Sequence, residues 1–248
     1  MCVPNPVLAR SQHDSLVAAY RNAGITVFYV EPCSTPPPNQ MFVADLFFMT
    51  PEGAVLGRPA SAVRAGEERF VAQKLAELFI PILRYVRGRG VFEGADAAWV
   101  DSATVIPGIG LRTNVEGAVQ VKSLLHEMGV KVVKVVLPEG VMHLMGTLRF
   151  VDRDLAVCWR NRIPQAALKV LQDHGYDTVF VADEEETMMG LALNFVTLGP
   201  KRILMPIGNP RTQSFYEDMG IKCATVEVDE LHKAAGGVGC LTGVLERE

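Results

Sequence analysis

One thiol in this chain of 248 residues is set out as if for display. Cys240 lies in Gly236-Gly237-Val238-Gly239-Cys240-Leu241-Thr242-Gly243, boxed by glycines and followed by the apolar alternation Leu241, Gly243, Leu245. Glycines let backbone come close to a ligand, so a loop entering a strand and presenting the thiol is expected there. Taken singly, a cysteine is most often a small buried hydrophobe, and partners decide between the two readings. Candidate partners recur ahead of hairpin signals: Asp45 before LFFMT-PEG-AVLG, Glu93 before AAWVD-SAT-VIPG, His143 before LMGTLRFVD-RD-LAVCW, and Asn194 before FVTLG-PKR-ILMP. A thiol beside an imidazole and two carboxylates suits attack on an electron-poor, positively charged carbon, because the thiolate is the nucleophile and a nearby cation lowers its pKa. With a guanidinium as substrate, Asp45 and Glu93 would hold its N–H groups by charge-assisted bonds while its charge helps to ionise Cys240. His143 would protonate the departing amine and then take a proton from the hydrolytic water.

These residues are far apart in sequence, so the elements must bring them together. A helical pattern stops at glycine and an apolar strand begins five times, at Gly24, Gly90, Gly129, Gly175 and Gly220. After each strand come the polar residue and a hairpin, and helices follow over 64–87, 114–128, 164–174 and 210–219, the last two opening at Pro164 and Pro210. The fifth hairpin, LTGVLERE after Cys240, runs out of chain, and residues 11–23 supply its helix ahead of a strand over 25–30. A repeat cut open inside one unit implies a closed α/β ring of five strand–hairpin–helix units, a single domain over 1–248 in which the first and last segments meet. Residues at equivalent positions in the units then converge on one pocket. An ordinary βαβ sheet is disfavoured by the hairpins and by the lack of a GxGxxG or GxxxxGK[ST] phosphate loop.

Composition narrows the partner. The hydrophobic fraction of 49% supports a real core, and 24 basic against 28 acidic residues leave a formal charge of only −4 with no run of five like charges. Neither a nucleic acid nor an anionic membrane is suggested, and the partner is expected to be a small molecule. The cysteines Cys2, Cys33, Cys158, Cys223 and Cys240 are odd in number and widely spaced, without metal-ligand spacing, so neither a disulfide framework nor a metal site is expected. No secretory leader or membrane span is read, which gives a cytoplasmic expectation without a cofactor. A homodimer is left open. Pro36-Pro37-Pro38 reads as a stiff stretch bordering the pocket.

The five units, FVADLFF around Asp45, FEGAD at Glu93 to Asp96, MHL at His143 and the terminal GGVGCLT together resemble the pentein guanidine-modifying enzymes. That group includes the dimethylarginine dimethylaminohydrolases, arginine deiminases and amidinotransferases, with the first closest in look. The resemblance implies Cys240 as nucleophile, His143 as general acid and base, Glu93 as the group orienting His143, and Asp45 and Asp96 at the guanidinium. It also implies that Arg64, in RPASAVR, and Arg112, in LRTN, hold the substrate carboxylate, a task suited to their fork geometry. The chain departs from its relatives in charge. Pro38-Asn39 and Ala44-Asp45 stand where the dimethylarginine hydrolases usually carry Pro-Asp and Glu-Asp, putting Asn39 at the substrate without a charge. Met145 stands two residues after His143, where deiminases and amidinotransferases usually have an aspartate. Hydrolysis or amidino transfer of an arginine-like guanidine is one function class, and a pentein ring that only binds is another. A binding ring has no reason to keep Asp45, Glu93, His143 and Cys240 together. Asn194 and the histidines His13, His126, His174 and His232 read as structural.

Overall fold

Capping chemistry decides where the first helix begins. In the computed structural model, which describes residues 3–32, 34–37 and 39–247, the helix α1 spans Pro6–Asn22. The Asn5 side chain accepts from the N–H groups of Val7 and Leu8, and Pro6 fills a first-turn position where a missing N–H is harmless. The helix therefore starts well before Ser11, where the sequence reading placed it. Cys2, Cys33 and Pro38 lie outside the described residues.

Thereafter one unit recurs: an antiparallel hairpin, a helix, and a strand that returns parallel to the hairpin's second strand. The first is β1 (Phe47–Thr50), β2 (Gly53–Leu56), α2 (Glu68–Glu77) and β3 (Ile82–Tyr85). The second is β4 (Ala97–Asp101), β5 (Thr104–Ile109) and α3 (Val115–Glu127), closed by β6 (Lys131–Val132) and β7 (Val135–Val136), which both pair with β5. The third comprises β8 (Leu148–Phe150), β9 (Leu155–Cys158), α4 (Gln165–Asp173) and β10 (Asp177–Phe180). After the short helix α5 (Glu184–Met189) come β11 (Val196–Gly199), β12 (Arg202–Pro206), α6 (Pro210–Asp218) and β13 (Lys222–Val226), then α7 (Asp229–His232). Each helix presses an apolar face on its own sheet. In the third unit Ala167, Val170 and Leu171 of α4 bury against Ala156 and Cys158 of β9 and against Leu144 and Leu148. Full burial of such a leucine contributes roughly 1.5–3 kcal/mol.

Two expectations fail for identifiable reasons. Residues 25–30 and 241–247 form neither strand nor helix, although both are apolar-rich. Hydrophobicity proposes a strand, but a ladder partner must take up its N–H and C=O groups. The helix expected over 64–87 ends at Glu77, and β3 occupies part of that range. Its stop signal is Phe79, not Gly90: Phe79 adopts φ 58°, and the Ile80 N–H reaches back to the Leu75 carbonyl. Gly24, Gly129, Gly175 and Gly220 hold the corresponding left-handed position after other helices. A side chain there costs about 1–2 kcal/mol, and Phe79 is 94% exposed, so its ring returns little by burial. Phe79→Gly is therefore expected to stabilise the protein by up to ~1 kcal/mol, since the extra unfolded-state freedom of glycine takes back part of the gain. A urea midpoint at or below that of the wild type would show that the ring has a compensating contact.

The front of the chain packs on its end. Helix α1 touches β13 and α7, the Asn5 N–H donates to Glu230, and Tyr20 Oη and Thr242 Oγ1 lie 2.7 Å apart. Among the described residues no helix is long and apolar enough to cross a membrane.

Candidate active site

Three short 3-10 turns position the chemistry, each at the same point of its unit, just before the first strand. Asp45 ends the turn Val43–Asp45, Glu93 caps the turn Gly94–Asp96, and His143 caps the turn Leu144–Gly146. The second turn packs on both of the others. Gly94 permits this, since a Cβ there would overlap the Phe47 carbonyl oxygen and lie 2.7 Å from that of Ala44. The Ala44 N–H donates to the Cys240 carbonyl at 3.2 Å and so stitches the first turn to the thiol loop.

His143 and Glu93 form the tightest pair, with Nε2 and Oε2 2.6 Å apart and both residues buried. Burial pulls the imidazole pKa down, but the Asp45 charge, the Glu93 hydrogen bond and the Asp96 charge outweigh it and raise His143 to about 9. Burial likewise opposes ionisation of Glu93. The bond and charge of His143, the Ala60 N–H and Arg64 prevail and hold this carboxyl below its ordinary range. The pair is thus imidazolium and carboxylate at neutral pH.

Asp96 supports the turns that carry this pair. It is wholly buried, its Oδ1 accepting from the Leu144 N–H at 3.0 Å and its Oδ2 from Thr113 Oγ1 at 2.6 Å, and burial lifts its pKa to about 6. Thr113 Oγ1 in turn accepts from the Glu93 N–H at 3.2 Å. Asp96 and Thr113 together fix the turns that carry Glu93 and His143. The sequence reading expected Asp96 at a guanidinium; in this structure each of its oxygens accepts from the protein itself.

Asp45 faces two ways. Its Oδ2 accepts from Arg64 Nη1 at 2.7 Å, while its Oδ1 has no hydrogen-bond partner among the described residues and lies 3.7 Å from His143 Nε2. Burial raises the Asp45 pKa, the adjacent imidazolium pulls it down and Glu93 pushes it up. Arg64 is buried and engaged, with Nε donating to Glu67 Oε2 at 2.8 Å and Nη1 3.7 Å from Glu93 Oε2. Burial disfavours its charge, but Glu67 and Asp45 overcome this and hold the guanidinium protonated. Asp45, Glu93 and His143 bring three polar atoms within 4.8 Å of one another, and the guanidinium of Arg64 adds a positive charge beside them. Arg64 therefore anchors carboxylates in this structure, whereas the sequence reading had it reach for one on a substrate. Arg112 is half-buried at the rim, Nη1 3.9 Å from Glu93 Oε1 and Nη2 3.9 Å from Met142 Sδ, and its Nε lacks a partner. Asn39 lies in the turn before Phe42, whose N–H donates to its carbonyl, and among the described residues no side-chain contact ties Asn39 to the buried group.

Cys240 is held by Asn194. The amide Nδ2 donates to Sγ at 3.1 Å, while Oδ1 accepts from the N–H groups of Gly239 at 2.7 Å and Cys240 at 3.3 Å. Burial and the Asp45 charge push the thiol up; Asn194, backbone and Arg149 pull it down, without cancelling the rise. Cys158 is fully buried, and burial lifts it to about 12, so it is a core thiol. Sequence reasoning placed Asn194 at the shared repeat position but read it as structural. It overlooked Glu67, whose spacing of three from Arg64 on a helical pattern was a usable signal. Arg149 between apolar Leu148 and Phe150 gave no spacing signal at all.

These protonation states imply a pH profile. Were Cys240 to attack as a thiolate with His143 as the acid, the thiolate fraction would grow ~tenfold per pH unit for as long as His143 keeps its proton. kcat/KM on a guanidine substrate is expected to climb from about pH 7 and to flatten or fall above about 9, where His143 loses its proton. An activity plateau beginning near the ordinary histidine value would contradict this assignment.

Comparison with known proteins agrees in extent and architecture. A family model described as "N,N dimethylarginine dimethylhydrolase, eukaryotic" matches residues 5–245. The N(G),N(G)-dimethylarginine dimethylaminohydrolase of Pseudomonas aeruginosa is 26% identical over 240 residues, covering 96% of this chain and 89% of that protein. The enzyme of that name from Streptomyces coelicolor is 27% identical over 235 residues, covering 95% and 85%. A solved structure of the Pseudomonas aeruginosa enzyme, a cysteine-to-serine mutant complexed with citrulline, superposes with TM-score 0.82 at 25% identity over 96% of this chain and 88% of that one. The N-terminal domain of ArgZ, a cyanobacterial arginine dihydrolase, gives TM-score 0.84 at 19% identity over 96% and 86%, a likeness of fold alone. The mixed α/β architecture of repeated small sheets is thus the pentein fold, and the chain belongs to the N,N dimethylarginine dimethylhydrolase family.

Proposed function

We propose that this guanidine-modifying hydrolase uses Cys240 to remove an alkylamine from an N-alkylated, arginine-like guanidine. The single observation that carries the proposal is the position of Asp45. Its free Oδ1 faces the protonated His143, and the backbone next to it is bonded to the Cys240 loop. A guanidinium donating to Asp45 Oδ1 would bring its central carbon to the thiol and a leaving nitrogen to the imidazolium. The Cys240 thiolate forms the C–S bond, and the C–N bond to the amine breaks as His143 gives that nitrogen its proton. Glu93 holds His143 in orientation for the transfer. Water then adds to the thiouronium carbon, His143 takes a proton back, and the C–S bond breaks to return the thiolate and a citrulline-like urea. Guanidinium and water become urea and alkylammonium.

The preference for an alkyl group follows from what the site lacks. Arg64 already occupies Asp45 Oδ2, and Asn39, Ala44 and Met145 carry no charge. An unmethylated guanidinium would leave donors unpaired at ~1–3 kcal/mol each, and methyl groups avoid that loss. In this reading Cys240, His143, Glu93 and Asp45 carry the reaction, Arg112 holds a substrate carboxylate, and residues 1–248 form one domain. Its test is an acid quench of the wild-type protein during turnover of monomethylarginine. A mass adduct on the peptide containing Cys240 is expected, and the same adduct on Cys158 or Cys223 would overturn the choice of nucleophile. Release of the intermediate to an added amine faster than to water would make the protein a transferase.

A further inference from the structure

One charged side chain beside the nucleophile has no task in the reaction above. Arg149 lies in β8, on the strand that leaves the His143 turn, and is half-buried. Its guanidinium rests on the thiol loop, where a Cβ added to Gly239 would meet Arg149 Nη2 at 2.6 Å, Asn194 Oδ1 at 2.9 Å and Met145 Cε at 2.9 Å. Glycine at 239 is what lets the cation come this close to the residue before Cys240. The guanidinium also lies over the Phe195 ring, 5.5 Å from centroid to Cζ, and Phe195 follows the asparagine that binds Sγ. Among the described residues no carboxylate pairs with Arg149. A half-buried cation without an acid still loses hydration, and such a charge is favoured where an anion forms beside it.

We infer that Arg149 is a positioning residue that supplies an internal positive charge to the Cys240 thiolate, so that the nucleophile ionises in part without help from the substrate cation. This rests on Cys240 as the nucleophile of the proposed reaction. The charged and polar groups facing the thiol are Asp45 from the turn before β1, which opposes its ionisation, and Asn194 and Arg149, which favour it. Around Arg149 stand Tyr20 of α1, Tyr216 of α6 and Arg247. Burial and the Arg247 charge lower its pKa to about 10, which leaves it a cation at neutral pH. Asn194 gives the sulfur a donor and Arg149 gives it a charge, with the Phe195 ring beside the guanidinium.

The test needs no substrate. Alkylation of Cys240 by iodoacetamide is followed against pH by mass of its peptide in wild type, Arg149→Lys and Arg149→Met, with melting temperatures as the folding check. Arg149→Met is expected to move the midpoint of alkylation up by about one pH unit and to slow alkylation at pH 7 about tenfold. Arg149→Lys, which keeps the charge, should stay within about threefold of wild type. The same midpoint in wild type and Arg149→Met overturns the inference, as does a loss in Arg149→Lys as large as in Arg149→Met, since packing alone would then be the cause. Should Arg149→Met not fold, Arg149→Gln carries the same readout; collapse of both assigns Arg149 a purely structural task and also overturns it. A shifted midpoint in a protein that turns over no guanidine would remove the proposed substrate and leave this inference standing. An unshifted midpoint with active hydrolysis would remove this inference alone.

Discussion

Cys240→Ser is expected to lower turnover of a methylated arginine by on the order of 10⁴-fold or more, with little change in melting temperature. A hydroxyl ionises far less readily than a thiol, and the base assigned to the reaction, His143, is occupied. His143 holds its proton up to about pH 9 and is bonded to Glu93, so it cannot serve as the base that a serine would require. Asn194 can donate to an oxygen as it does to sulfur, so the loop should keep its shape. Substrate should still bind with KM or Kd within a few fold, because Asp45 and Arg112 are untouched. Turnover within tenfold of wild type would remove the covalent step and with it the reason for the glycine-boxed loop.

Arg64→Ala should be the most destabilising single change in the site. Arg64 is 5% exposed, Asp45 4%, and Glu67 and Glu93 are fully buried, so the substitution strands carboxylates that share one cation. Removing one partner of a buried ion pair costs about 3–5 kcal/mol, because the other charge remains without a counter-ion. The loss also has a sign in pH. Without Arg64 the burial that already raises Asp45 and Glu67 loses one of the charges that oppose it, so their folded-state pKa values rise further above the unfolded ones. A raised carboxyl pKa means that the folded variant binds more protons, so its stability falls as pH rises from the unfolded carboxyl range through the raised folded values. The gap to wild type should therefore be smaller near pH 5 than near pH 8. Urea unfolding at both pH values measures this. A gap below ~1 kcal/mol, or one that grows in acid, would mean that Arg64 mainly serves a ligand, the role expected from sequence.

Repetition made the fold legible. Glycine at 129, 175 and 220 stops a helix by taking the left-handed position that side chains avoid, and such stops can be read from residue type alone. Phe79 takes the same position against its preference, and the reading there carried the helix on to Gly90. The fifth unit misled in another way. Apolar runs at 25–30 and 241–247 have the composition of strands, but composition does not reveal whether a pairing edge is available.

The candidate site was legible where symmetry set it. Asp45, Glu93 and His143 stand at equivalent turns, and a periodic chain places equivalent turns together. What escaped was the allocation of partners. Whether Arg64 faces a substrate or Asp45, and whether Asp96 lines the pocket or supports the Leu144 backbone, depends on side-chain directions that spacing does not encode. Asn194 had the right position and an ordinary residue type, and only its hydrogen bonds to Sγ and to the Gly239 and Cys240 N–H groups distinguish it from a strand-start amide. Arg149 reaches Gly239 across units, from a strand whose pattern reads as core.

The most direct measurement is product analysis. The protein is incubated at one pH with arginine, monomethylarginine and dimethylarginine in turn, and amine and urea products are quantified by mass spectrometry with initial rates for kcat/KM. The expected result is alkylamine and a citrulline-like urea in equal amounts from the methylated substrates, with kcat/KM ~tenfold or more above that for arginine, the size set by one unpaired donor. Faster release of ammonia from plain arginine, or no alkylamine from either methylated substrate, would contradict the proposed reaction.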